Sequence, residues 1–139
     1  MSIQKITFDN IHHLIFINKI GKDNLPIFYD IEDMILSEDE IYVYIENGIT
    51  YGYIIYNFKA ENHIHLKSIA VDIEKQKQGI GRKLIQFLKN KADTITLYVQ
   101  KGNDAKDFYI KNKFKQISVD ENYYSNLDES CAFYMEFTK

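Results

Sequence analysis

Two glycines one residue apart, Gly79 and Gly81, stand in EKQKQGIGRKLI, residues 74–85, with Lys77, Arg82 and Lys83 around them. Residues of these types at this spacing suit an anion. Glycine lets a ligand approach the backbone closely. A helix beginning near Ile80 leaves its first N–H groups unpaired at the positive end of the helix dipole, where phosphate is favoured. Two known phosphate motifs are excluded. The dinucleotide fingerprint asks for a third glycine three residues after the second, where Leu84 stands, and no Gly-x-x-x-x-Gly-Lys-Ser/Thr occurs. By itself the stretch reads equally well as a flexible turn with solvated charges.

Other side chains suit proton transfer or charge attraction. His63 and His65 lie two apart in NHIHLKSIAVD, so a strand there puts them on one face with Lys67, Ile69 and Val71. An imidazole, with a reference pKa of about 6.5, suits a base at neutral pH. The alternative is a partly exposed strand histidine bound to a neighbour. Two histidines without a third ligand do not suffice for zinc. His12 and His13 would point to different sides of a helix, so no metal site is expected. Asp30, Glu32, Asp33, Glu38, Asp39 and Glu40 crowd YDIEDMILSEDE, residues 29–40. Such a field attracts a cationic amine, or is simply a solvated helix face and loop. Cys131 is the single cysteine and cannot form an internal disulfide. It reads as a small packing residue in a reducing compartment.

The elements that must position these residues follow from pattern. Ile3–Phe8 alternates as a strand. Asp9 or Asn10 would cap a helix running to about Ile20, with Ile11, Leu14, Ile15 and Phe16 on its buried side. A second helix is expected over about 26–36, after the only proline, Pro26. IYVYIENGITYGYIIYNFKA holds two β-rich runs joined by Asn47-Gly48, the strongest short hairpin signal. NHIHLKSIAVD is a third strand. Ile80–Lys91 is a helix with Ile80, Leu84, Ile85 and Leu88 at helical spacing. A strand over 94–99, a helix over about 104–112, and the strands FKQISV and CAFYMEF complete the chain. The order is β-α-α-β-β-β-α-β-α-β-β. The early strands meander antiparallel, and the central strand-helix-strand unit makes a parallel pair. The class is α+β, with a mixed central sheet flanked by helices.

Length and composition set bounds. The 139 residues, 45% hydrophobic, form one domain over 1–139. A net charge of -3 argues against nucleic acid as the partner. No apolar run reaches the length of a membrane span, and MSIQKITFDN has no signal-peptide core. A soluble cytoplasmic protein, monomer or homodimer, is expected.

The strand HIHLKSIAVD followed by Gln76-x-x-Gly79-x-Gly81 and a helix resembles the central motif of the GNAT superfamily of N-acetyltransferases. That loop reads Gln/Arg-x-x-Gly-x-Gly/Ala and cradles the pyrophosphate of acetyl-CoA. AKDFYIKNKF resembles the family's second motif through Ala105, Phe108, Tyr109 and Phe114. The element order matches a GNAT-like fold over the whole chain. Three positions depart. Lys77 stands where the family prefers a small residue. Gly102 holds the place of the usual Asn, with Asn103 displaced by one. Lys113 replaces the Gly before the final Phe, so the helix is expected to end differently, through Asn112.

The resemblance implies an enzyme that moves an acetyl group from acetyl-CoA to a primary amine by direct attack. It implies cofactor contacts at Gln76, Lys77, Gln78, Gly79, Ile80, Gly81 and Arg82, and at Asn103 and Phe108. It also implies that backbone groups of Ile69, Ala70 and Val71, on a bulged strand end, hold the pantetheine arm and polarise the thioester. Tyr109 matches the general acid. A phenol with a pKa of about 10 can protonate a thiolate whose acid has a pKa of about 8.5. His65 stands in the register of the family's carboxylate base. The tail YYSNLDESCAFYMEF is similar to that of ribosomal-protein-alanine and other protein N-terminal acetyltransferases. By that analogy Tyr123 and Tyr124 line a peptide site, with Glu32 contributing from the acidic stretch. The acceptor is a small-molecule amine or a peptide or protein N-terminus. Two alternatives stay open: a CoA-binding regulatory module without catalysis, and an interaction domain with an empty loop.

Overall fold

The computed structural model describes residues 2–7, 12–24 (backbone only at 18 and 22–24), 38–123 and 131–139. The helix expected over 26–36 lies outside these residues, as do Ile11, Glu32 and Tyr124. Among the described residues the order is β1 (Ser2–Lys5), α1 (His13–Asn24), β2 (Glu40–Glu46), β3 (Ile49–Ala60), β4 (His63–Val71), α2 (Ile80–Lys89), β5 (Thr94–Gln100), α3 (Ala105–Lys111), β6 (Lys115–Asp120) and β7 (Ala132–Thr138). The strands form one sheet in the order β1-β2-β3-β4-β5-β7-β6. β4 and β5 run parallel, while β1–β2, β2–β3, β5–β7 and β6–β7 are antiparallel. This is the expected mixed α+β sheet. Among the described residues no helix is long and apolar enough to cross a membrane.

Local chemistry accounts for the turns. Asn47 and Gly48 have φ of 51° and 77°, the paired positive values that a two-residue hairpin turn needs. Asn62, at φ 64°, closes the turn between β3 and β4. Its side chain then ties distant segments together: Nδ2 donates to Asp93 Oδ2 at 2.8 Å, and Oδ1 accepts from the Asp93 N–H at 2.9 Å. The Asn62 hydrogen bond is the first cause that holds the Asp93 carboxyl below its usual range, and Lys139 adds to it.

The chain divides into two compact units. The first comprises residues 1–57 and 66–87, the second 58–65 and 88–139. The core of the first gathers Leu14, Ile17 and Ile20 of α1 with Ile41, Val43, Ile45, Tyr53, Ile55 and Ala70. The expectation that Ile15 and Phe16 face this core is wrong: they are 67% and 39% exposed. At 3.6 residues per turn, Leu14, Ile17, Ile20 and Gly21 form the inward stripe, and Ile15 and Phe16 fall beside it. α2 packs onto β3 at Gly52, where an added Cβ would lie 3.3 Å from the Ala70 carbonyl oxygen and 3.3 Å from Ile80 Cγ2. The core of the second unit includes Ile64, Leu88, Ile95, Leu97, Tyr109, Phe114 and Met135. Phe114 sits between Tyr109 and Phe137, with ring centroids 5.6 and 5.8 Å away.

Candidate active site

In the first unit, the segment from the end of β4 to the start of α2 is tightly tied. Asp72 Oδ1 accepts from the Glu74 N–H at 2.9 Å, which starts a single 3₁₀ turn over Ile73–Lys75. Gln76 Nε2 then donates to the Val71 carbonyl at 3.1 Å. Gln76 thereby braces the loop against the strand end, a role its sequence position did not announce. Lys77 and Gly79 follow with φ of 64° and 85°. The first helical bond runs from the Lys83 N–H to the Gly79 carbonyl at 3.1 Å. The N–H groups of Ile80, Gly81 and Arg82 therefore lie ahead of the helical ladder. A Cβ built on Gly79 meets nothing within 4 Å. This is a backbone-lined opening at a helix start, the geometry that receives phosphate oxygens.

Side chains around the opening divide by role. Ile80 is buried and anchors the helix, so only its backbone is offered outward. Gln78, Lys77 and Arg82 are exposed. Lys83 and Lys75 are folded over aromatic faces, 5.8 Å from the Tyr44 ring and 4.8 Å from the Tyr51 ring. At the end of β4, Ala70 is buried in the core while Ile69 and Val71 are half-buried. Part of the acidic run is already engaged: Asp39 pairs with Lys67 at 2.9 Å, and Glu40 with Lys5 at 2.9 Å.

In the second unit, β4 and β5 bring histidines to a threonine. The parallel register sets His63, Ile64 and His65 against Thr94, Ile95 and Thr96. His65 is buried, and its Nδ1 lies 2.9 Å from Thr96 Oγ1. His63 Nε2 lies 3.1 Å from the same oxygen. The His65 and Tyr98 rings pack edge to face, with centroids 5.9 Å apart. Tyr98 in turn stacks on Tyr123 at 4.1 Å and 14°, and tilts against Tyr134 at 4.9 Å. The structure thus joins His65 and Tyr123 through Tyr98. Thr96, Tyr98 and Tyr134 escaped the sequence reading. Alternation along β5 puts Thr96 and Tyr98 on one face, but nothing local says which strand lies beside it.

α3 carries Phe108 and Tyr109. Tyr109 is buried, with its ring against Phe108 at 5.4 Å and Phe114 at 5.6 Å. Asn103 uses its Oδ1 to accept from the Ala105 N–H at 2.9 Å, capping the first turn. Asn112 Nδ2 donates to the Phe108 carbonyl at 2.8 Å, so the helix does end through Asn112. Lys113 takes φ 74°, and Phe114 N–H reaches back to the Tyr109 carbonyl at 3.0 Å. Lys89 Nζ also donates to the Asn112 carbonyl, at 2.6 Å. Lys77 and Lys113 thus both occupy left-handed backbone where the resembled family has a small residue.

The family model of the acetyltransferase (GNAT) domain matches residues 37–116, more than half of the chain. Solved structures share the fold. The ribosomal-protein-S18-alanine N-acetyltransferase from Escherichia coli aligns with a TM-score of 0.81 at 22% identity, covering 99% of this chain and 92% of that one. Arabidopsis thaliana Naa50, in complex with the bisubstrate analogue CoA-Ac-MVNAL, aligns at 0.79 and 21%, covering 99% and 98%. An aminoglycoside 6'-N-acetyltransferase complexed with coenzyme A aligns at 0.80 and 16%, covering 99% and 97%. No curated protein sequence matches. The fold and the matched domain define an acyltransferase, and the chain belongs to the GNAT acetyltransferase family.

Proposed function

We propose that this acetyltransferase moves an acetyl group from acetyl-CoA to a primary amine by direct attack. The observation that carries this reading is the opening before α2, where left-handed Lys77 and Gly79 precede the N–H groups of Ile80, Gly81 and Arg82. Donors arranged in this way suit a pyrophosphate. Gln76 to Arg82 would hold that group, and Ile69, Ala70 and Val71 would take the pantetheine arm. Asn103 and Phe108 would add cofactor contacts. The acceptor is an amine on a small molecule or at a peptide N-terminus; Tyr123 would line its site, and the resemblance adds Glu32 and Tyr124, which lie outside the described residues. The CoA–peptide conjugate held by Naa50 supports the peptide branch, and the aminoglycoside enzyme supports the small-molecule branch.

Bound acetyl-CoA supplies the activated acyl carbon and a thiolate leaving group. The chain's own residues handle charge and protons. A backbone N–H of the Ile69–Val71 segment stabilises the carbonyl oxygen as it gains negative charge. His65 removes a proton from the attacking amine. The Tyr109 phenol would give its proton to the leaving thiolate, a transfer that the reference values of about 10 for a phenol and about 8.5 for a thiol allow. A peptide α-amine, with a pKa of about 7.7–8.0, asks less of the base than a lysine-like amine does.

The test is CoA release from acetyl-CoA across a panel of free N-terminal peptides, polyamines and aminoglycosides. Turnover with at least one amine is expected, and its absence across the panel refutes the reading. Gly79→Val should abolish acetyl-CoA binding by calorimetry while the circular dichroism spectrum is kept, because a β-branched residue resists φ 85° and fills the opening. Retained binding would remove the loop from the cofactor site.

A further inference from the structure

Thr96 Oγ1 lies within hydrogen-bond distance of two imidazole nitrogens, His65 Nδ1 at 2.9 Å and His63 Nε2 at 3.1 Å. The hydroxyl is buried with the rest of Thr96. A hydroxyl has one proton. It can donate to one ring at most, so at least one of the two ring nitrogens must carry a proton and donate to it. A base that takes its proton on Nε2 carries the other ring proton on Nδ1. If His65 is that base, its Nδ1–H donates to Thr96, and the Thr96 O–H donates to His63 Nε2.

We propose that Thr96 is a positioning residue that holds His65 with its proton on Nδ1, and that His63 is the outer end of a proton path beginning at His65. The proposal rests on the role of His65 given above. As the amine's proton arrives on His65 Nε2, the Nδ1 proton passes to Thr96 Oγ1 and the Thr96 proton passes to His63 Nε2. Only N–H and O–H bonds form and break, and no electrons are exchanged. The positive charge leaves a buried ring for His63, which is half-buried, and His63 releases the proton from Nδ1 to solvent. Burial disfavours a charged imidazole, so outward transfer lowers the cost of each proton removed. Two titratable groups lie beside this path. Tyr98 packs against His65 at a steep interplanar angle of 65°. Glu136 stands opposite Thr96 on β7, with its carboxylate accepting from the Thr138 hydroxyl at 2.9 Å.

The test is long-range ¹H–¹⁵N NMR of the histidine rings in the full chain at about pH 8, above the reference histidine pKa of about 6.5. His65 is expected as the Nδ1–H tautomer and His63 with Nε2 unprotonated. Thr96→Val should abolish that preference, and Thr96→Ser should restore it. With an Ala-initiated octapeptide as acceptor probe, Thr96→Val should lower kcat by roughly 10-fold with KM for acetyl-CoA nearly unchanged, and serine should rescue it. An Nε2–H tautomer of His65 in the unmodified chain, or a tautomer unmoved by Thr96→Val, overturns the proposal. Full turnover in His65→Ala would instead remove the base assignment. The tautomer measurement needs no acceptor and judges the positioning claim separately.

Discussion

Two buried histidines in this protein each meet a threonine hydroxyl, in different surroundings. In the first unit, His13 Nδ1 lies 2.6 Å from Thr50 Oγ1, linking the start of α1 to β3. In the second, His65 Nδ1 lies 2.9 Å from Thr96 Oγ1, linking β4 to β5. His13 sits on the helix whose Leu14 and Ile17 enter the core, with its ring against His12 at 4.1 Å and Phe16 at 6.4 Å. Although His12 is exposed and His13 buried, the rings of the pair lie together, which adjacent helix positions alone do not predict. His65 shares its threonine with a second histidine and borders the Tyr98–Tyr123 stack. A histidine–threonine bond is therefore no mark of catalysis by itself. What differs between the two is the second histidine on the Thr96 hydroxyl.

Four substitutions or conditions press on this contrast. His65→Ala should lower turnover by about 100-fold in protein that remains folded, since general base catalysis contributes on the order of 10² or more. An unchanged kcat would erase the distinction between the two sites. His13→Ala should do the reverse. It strips the partner from a buried Thr50 hydroxyl and leaves a void, costing about 2–3 kcal/mol in denaturant unfolding with kcat retained. Equal stability in the variant would show that the Thr50 bond contributes nothing.

The third is pH. Burial, and then the charge of neighbouring His12, hold the His13 imidazole below its usual range. The unfolded chain, with a histidine pKa of about 6.5, then binds more protons than the folded one, so stability is lost as pH falls below that value. Calorimetric melting between about pH 7.5 and 5.5 should show this slope, and His13→Gln should flatten it. The smallest effect is expected at Lys113→Gly. Relief of a left-handed lysine is worth about 1–2 kcal/mol, but glycine returns about 0.5–1 kcal/mol in unfolded-state freedom. A net gain between about 0 and 1.5 kcal/mol with unchanged kcat is expected. A loss of stability would show that the lysine side chain matters more than the backbone.

Much of the fold was legible because its signals are local. Asn47-Gly48 carries its own backbone preference, and the glycine loop announces a helix start from the residues on either side. Periodicity named Leu84, Ile85 and Leu88 correctly as buried. It erred at Ile15 and Phe16, because a run of apolar residues spans more than one face and only packing chooses which stripe turns inward. Lys77 and Lys113 read as departures in sequence, yet the backbone at both keeps a positive φ. At Lys113 the helix-terminal bonds from the Lys113 N–H to Ile110 and from the Phe114 N–H to Tyr109 accompany that conformation.

The sequence by itself determined the order of elements, the hairpin, the glycine-bearing helix start and the placement of His63 and His65 on one strand face. Each depends on residues within a turn or two of one another. Only the tertiary structure decided that Thr96, 31 residues beyond His65, stands between the two histidines, and that Tyr98 joins His65 to Tyr123. The reason is register. A period of two tells which face a strand residue takes, whereas its neighbour across the sheet is fixed by how two distant strands are aligned, and a single-residue slip would exchange that neighbour for another.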